Sequence, residues 1–243
     1  TASQLINPHQ GKGQNEPKAN RLKMDNRDSF WLLEYLKAAG LWLCATPRVV
    51  RGSDDRKTYI IAPTNITLGT HEAVFKRFSD RLWSESAVKM DITASLLYTE
   101  CLLEYSEAGQ FDELDFEGYG PDNVVSGFYV GFYKLLSRNA YTMMNQAFLG
   151  LPRWTGDVKK REDVLVLKGV ISEHINVIHG IDEDRSDGYR LLEQYRDFLS
   201  ASIWSTFFQF TTGYSQYLMG ELLRGRAWVR PFTTKNMEVL IVR

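Results

Sequence analysis

Apolar residues recur at spacings of three and four along most of this chain, and that period predicts helices. Asp28 is a good N-cap for a first helix running through Phe30, Trp31, Leu33, Tyr35 and Leu36 to Gly40. A segment capped by Thr70 places Val74, Phe75, Phe78 and Leu82 on one face. Asp91 opens a further helix with Ile92, Leu96 and Leu103 inward and Gly109 as its stop. Pro121 suits the first position of a helix carrying Gly127 and Gly131 on one face, ended by Gly150 and Pro152. Residues 162–179 present Leu165, Leu167, Val170, Ile171, Ile175 and Ile178 before Gly180. A last, long helix is expected from about 187 to 223, with a break at Gly213.

Two stretches depart from the helical period. Arg48-Val49-Val50-Arg51 and Lys57-Thr58-Tyr59-Ile60-Ile61 flank Gly52-Ser53-Asp54-Asp55. Two β-favouring runs around a turn cluster read as a hairpin over residues 47–62, and Glu238–Val242 as a short strand that adds to it. Residues 1–24 are polar, contain Pro8, Gly11, Gly13 and Pro17, and show no period. Such a segment has no core of its own, so it orders only by lying on the body or on a neighbouring subunit. The expected architecture is mainly α: an extended N-terminal arm at 1–24, then a single helical domain at 25–243 with the minor hairpin.

Composition adds little to that picture except in its aromatics. The chain is 44% hydrophobic and 24% charged, as ordinary globular proteins are, while aromatics reach 13%. Large rings serve cores and association surfaces alike. From Phe198 to Gly220 no residue is charged, yet nine Ser, Thr and Gln side chains interrupt the run. Lipid would leave those groups unsatisfied, so a soluble helix is expected there rather than a membrane span.

A net charge of −1 supplies no global field toward nucleic acid or anionic membrane. The distribution is uneven, however. No Lys or Arg lies between Lys89 and Lys134, a stretch holding Asp91, Glu100, Glu104, Glu107, Asp112, Glu113, Asp115, Glu117 and Asp122. The N-terminal quarter and the C-terminal end are basic. Either this is a solvated face, or one subunit's basic end meets another's acidic middle. Cys44 and Cys101 form no C-x-x-C pair, which fits a reducing, intracellular setting, and the first residues lack a signal-peptide pattern.

The common sequence motifs of enzyme chemistry are absent. Gly11-Lys12-Gly13 lacks the spacing and hydroxyl of a phosphate loop, Gly118-Tyr119-Gly120 lacks a third glycine, and no G-x-S-x-G elbow occurs. His71 falls in a first helical turn and is expected to be solvated. His174 and His179 are five apart and diverge by about 140° on a helix, so they do not share a metal. Asp182-Glu183-Asp184-Arg185-Ser186-Asp187, with Glu193 following, has the outline of an EF-hand loop. Asp187 occupies the position that needs glycine and Arg190 adds a cation, so a polar interhelical turn explains the residues better. Asp112–Glu117 reads as an amphipathic acidic loop docking Leu114 and Phe116. No catalytic, cofactor or metal residues are therefore assigned.

Three function classes remain. The leading expectation is a structural subunit of a larger assembly, capsid-like, nucleocapsid-like or scaffold-forming, partnered by copies of itself or other protein subunits. The second is a nucleic-acid-binding or regulatory module. It would use Lys12, Lys18, Arg21, Lys23, Arg48, Arg51, Arg56 and Lys57 near the N-terminus and Arg226, Trp228 and Arg230 near the end. The same residues serve as partner contacts under the first reading. The third is an enzyme whose site is assembled from scattered residues.

Overall fold

The computed structural model describes residues 31–108, 120–137, 140–156 and 158–242. The arm at 1–24, Asp28 and the acidic loop Asp112–Glu117 lie outside them. The chain is mainly helical with a minor antiparallel sheet. Its elements are α1 (Trp31–Cys44), β1 (Ala45–Val49), β2 (Arg56–Pro63), α2 (Leu68–Arg81), α3 (Ala87–Glu107), the single turn α4 (Pro121–Val124), β3 (Val125–Ser137), β4 (Ala140–Gly150), α5 (Arg161–His179), α6 (Ser186–Ala201), α7 (Trp204–Leu223) and α8 (Thr234–Val242). They divide into two compact units. One runs to Ile61 and includes Tyr129–Ala147; the other comprises Ala62–Phe128 and everything from Phe148 onward.

In the first unit, β1 and β2 form the expected hairpin, antiparallel, with Ala45 opposite Ile60 and Val49 opposite Arg56. The sheet continues in the order β1-β2-β3-β4. Asp55 Oδ1 accepts from the Leu135 backbone N–H at 3.0 Å, tying the hairpin turn to β3. Tyr59 is fully buried, while much of α1 is exposed.

The strands β3 and β4 correct the helix expected from Pro121 to Gly150. Helical structure persists for one turn only, and the chain then extends. Val124, Val125, Phe128, Tyr129, Val130, Phe132 and Tyr133 are β-branched or aromatic, and a sheet partner rewards them more than a helix does. Gly127 has φ +150°, and a Cβ there would stand 2.1 Å from the Leu149 carbonyl oxygen. Its missing side chain permits the close approach of β3 to β4, not of two helices.

The second unit is built around α3. Every residue from Val88 to Thr99 is buried, because α2, α5 and α6 all pack against it. A helix enclosed on all sides needs no polar stripe, and small residues such as Ala94, Ser95 and Thr99 let its neighbours approach. Asp91 therefore lies inside the helix, buried, rather than opening it. The true cap comes from far along the chain. The Glu183 carboxylate accepts from Ser86 Oγ at 2.5 Å and from the Val88 and Lys89 backbone N–H groups at 3.0 and 2.9 Å.

On α2 the cap is Thr67, whose Oγ1 accepts from Thr70 N at 3.3 Å; the inward face is Val74, Phe75 and Phe78, with Leu82 buried just past its end. His71 is buried against Phe75, 5.4 Å between ring centres, and not solvated. Helix α5 buries Val164, Leu167, Val170, Ile171, His174, Val177 and Ile178, and leaves Leu165 half exposed.

The long last helix is two helices. Ser202 adopts the left-handed conformation, φ 53°, and ends α6, while Gly213 stays within α7. There a Cβ would meet Leu191 Cδ2 at 2.9 Å, so Gly213 serves the contact of α6 with α7. The residues from Glu238 to Val242, expected as a strand, belong to α8. Glu173 of α5 organises that helix start, accepting from Thr233 N at 2.9 Å, Thr233 Oγ1 at 2.8 Å and Asn236 Nδ2 at 2.8 Å. A strand-prone run is thus held helical by a tertiary contact.

Candidate functional site: an arginine-lined cleft over a buried glutamate

The second unit holds a cluster of charge that the helical period conceals. Glu221 lies in the last turn of α7, and its side chain is 1% exposed. A lone carboxylate in that place would be strongly disfavoured. Three guanidiniums converge on it instead. Arg185, just before α6, donates to Oε1. Arg224 Nη1 donates to the same oxygen at 2.6 Å, and Arg226 Nη1 donates to Oε2 at 2.9 Å. Burial pushes the Glu221 carboxyl up, but the bonds from Arg185, Arg226 and Arg224 outweigh it and hold it at about 2.

Arg185 is fixed on further sides. Its Nη2 reaches Asp187 Oδ2 at 2.5 Å, and its guanidinium carbon stands 5.2 Å from the centre of the Tyr217 ring. The Tyr217 hydroxyl in turn accepts from the Asp182 backbone N–H at 3.0 Å. Above this layer opens a cleft of about 230 Å³, lined by Arg185, Asp187, Arg190, Gln216, Tyr217 and Arg224 among others. Gly213, Gln216, Tyr217, Gly220 and Arg224 recur at three- and four-residue spacings, so the cleft follows one side of α7. Three guanidiniums (Arg185, Arg190 and Arg224) and one carboxylate, Asp187, line the cleft, which leaves a positive excess of two.

The segment 182–187, whose outline resembles a calcium loop, is engaged within the protein. Glu183 caps α3, Asp182 Oδ1 accepts from Asp184 N at 3.2 Å, and Asp187 holds Arg185. Among the described residues no group of three or more His, Cys, Asp or Glu side chains could hold a metal ion. His174 is fully buried, stacked on Trp154 at 5.0 Å and on Phe207 at 6.0 Å, with Nδ1 2.5 Å from the Tyr195 hydroxyl. Burial depresses its pKa to about 3, so the ring is neutral. His179 points elsewhere, its Nδ1 3.1 Å from the buried Glu85.

The residues assigned from the sequence as partner or nucleic-acid contacts divide between the units. Lys12, Lys18, Arg21 and Lys23 lie outside the described residues. On the hairpin, Arg48 turns back to Thr46 Oγ1 and the Pro47 carbonyl, both at 2.8 Å. Lys57 is 7% exposed with its amine over Phe132, Arg56 lies over Tyr141, and Arg51 is exposed at the turn. In the other unit, Arg226 is drawn to Glu221 while stacking on Trp228 at 5.6 Å. Arg230 is exposed, and its carbonyl accepts from the Tyr214 hydroxyl at 2.5 Å. Arg226 is the one member of that set bonded to Glu221. Glu221 escaped sequence reading, and Arg185 and Arg190 were read only as part of the segment 182–193, although Arg224 and Arg226, three and five residues after Glu221, were a visible hint.

Several acids of the cation-free stretch also have partners inside the second unit. Arg81 bridges Glu100 at 2.6 Å and Glu104 at 2.8 Å, and Lys168 pairs with Glu107. Compared with known protein families, curated proteins and solved structures, the chain matches none.

Proposed function

We propose that this chain is an assembly subunit that associates with further copies of itself through apolar helical surface. The observation that carries this reading is the double-sided character of α7. Phe207, Phe210, Tyr214 and Tyr217 are buried on one side. On the opposite side Phe208 (50% exposed), Met219 (65%), Leu222 (52%) and Leu223 (87%) fall within a stripe of about 100°. Thr212 and Ser215 separate Phe208 from the group Met219, Leu222 and Leu223 on that side, and large apolar side chains left in water mark contact sites. In the other unit α1 adds Tyr35, Leu36 and Trp42, the last 87% exposed. Membrane insertion does not account for either helix, because among the described residues none is long and apolar enough to span a bilayer.

A second copy is the favoured partner because each copy carries the same exposed apolar side chains, which two copies can cover for each other. The partner-facing charges in the first unit are then Arg51 and Arg56, with Arg230 in the second. Light scattering of the purified chain across concentration, at low and high salt, tests the reading. A particle that grows with concentration and persists at high salt supports apolar association, and the substitutions Phe208→Gln and Met219→Gln together should return it toward the monomer. A 28.0 kDa monomer under all conditions overturns it.

A further inference from the structure

The geometry points to the cleft over Glu221 as a binding site for a phosphate dianion, carried on a small ligand or free in solution. This goes beyond the association reading and rests on none of its residues. The positive excess of two matches a dianion rather than a single carboxylate. Arg185 and Arg224 are held in place by Glu221, and Arg185 further by Asp187 and Tyr217, so ordering them upon binding costs little. A guanidinium with two or three donors already engaged retains others, and its planar fork suits a phosphate oxygen pair. Arg190, exposed at the cleft wall, has no ion-pair partner among the described residues.

Gly220, in the last turn of α7, forms part of the cleft wall. Gly213 has a packing reason, the nearness of Leu191, but a Cβ at Gly220 would meet nothing within 4 Å. Its bare backbone leaves the cleft open beside Arg224, where any side chain would stand in the occupant's place. The positive cluster, the fixed guanidiniums and the unfilled wall thus describe one concave, anion-selective site.

Thermal melting of the full chain tests this, titrating inorganic phosphate and, separately, phenyl phosphate against sodium chloride and acetate at matched ionic strength. Ligand-specific stabilisation should appear with phosphate and not with chloride or acetate. A larger response to phenyl phosphate assigns the site to a phosphate ester, and a response to inorganic phosphate alone assigns it to the free ion. Arg190→Gln removes an exposed cation and should weaken binding about tenfold or more. Gly220→Leu fills the cleft with the arginine cluster intact and should abolish the response while the protein stays folded. Equal stabilisation by chloride or acetate overturns the proposal, as does a response unchanged in both variants.

Discussion

Replacing Glu221 by Gln removes one charge and leaves three guanidiniums around a neutral amide. Each charge-assisted bond is worth about 1.5–3 kcal/mol when well formed. The arginine partners are 28%, 54% and 39% exposed, so water screens part of that and lets them turn away. The amide also keeps one acceptor oxygen. Against this stands the mutual repulsion of cations that Glu221 brought together. The net loss should be about 2–4 kcal/mol, a melting point lower by roughly 5–15 °C for a chain of this size. Urea unfolding gives the free energy directly, with an unchanged slope showing that both proteins unfold alike. The pH dependence supplies a second reading. Glu221 is held at about 2 in the folded chain and returns to about 4.3 when unfolded, so its contribution is complete above that value and fades as pH falls toward 2. The gap between wild type and Glu221→Gln should therefore narrow between about pH 5 and 3. A variant melting within about 2 °C of wild type at pH 7, or a gap that does not change with pH, would refute the reasoning.

Three further outcomes are expected. His174, with a pKa of about 3 in the fold and near 6.5 when released, makes the folded chain lose up to about 1.4 kcal/mol per pH unit as pH drops between those values. Urea midpoints at pH 7 and 5 should show that loss in wild type and a flatter profile in His174→Gln. Gly127→Ala should cost more than about 3 kcal/mol, because strain at φ +150° adds to a Cβ set against the Leu149 carbonyl; a mild effect by calorimetry would contradict the β3–β4 approach. Glu183→Ala should release the first turn of α3, with a loss of about 1–2 kcal/mol and faster amide exchange at Val88 and Lys89 specifically. Exchange at those amides equal to wild type would show that the cap is not what holds the turn.

Local chemistry was enough for several elements. The three-and-four period found α2, α3 and α5, Gly180 marked the end of α5, and the turn cluster at 52–55 marked the β1–β2 hairpin. For α2, α5 and the hairpin the residues that favour the element also mark its ends, whereas α3 was legible in its period and not in its start. The stretch from 198 to 220 was likewise legible as helical, and among the described residues no helix is long and apolar enough to cross a membrane. What only the tertiary structure decided lies where local preference is balanced or misleading. Val124–Tyr133 accepts either period until a sheet neighbour is present, and Val239–Val242 is strand-prone until Glu173 caps the turn before it. Helix α3 begins at a carboxylate almost a hundred residues away, which no window along the chain can contain. The cleft has the same origin: Arg185, Arg190 and Arg224 are unremarkable charges in sequence, and line one cleft only because α6 and α7 pack closely at Gly213. Burial converts a solvated charge into a structural one, and burial is a property of the packed chain rather than of any residue in it.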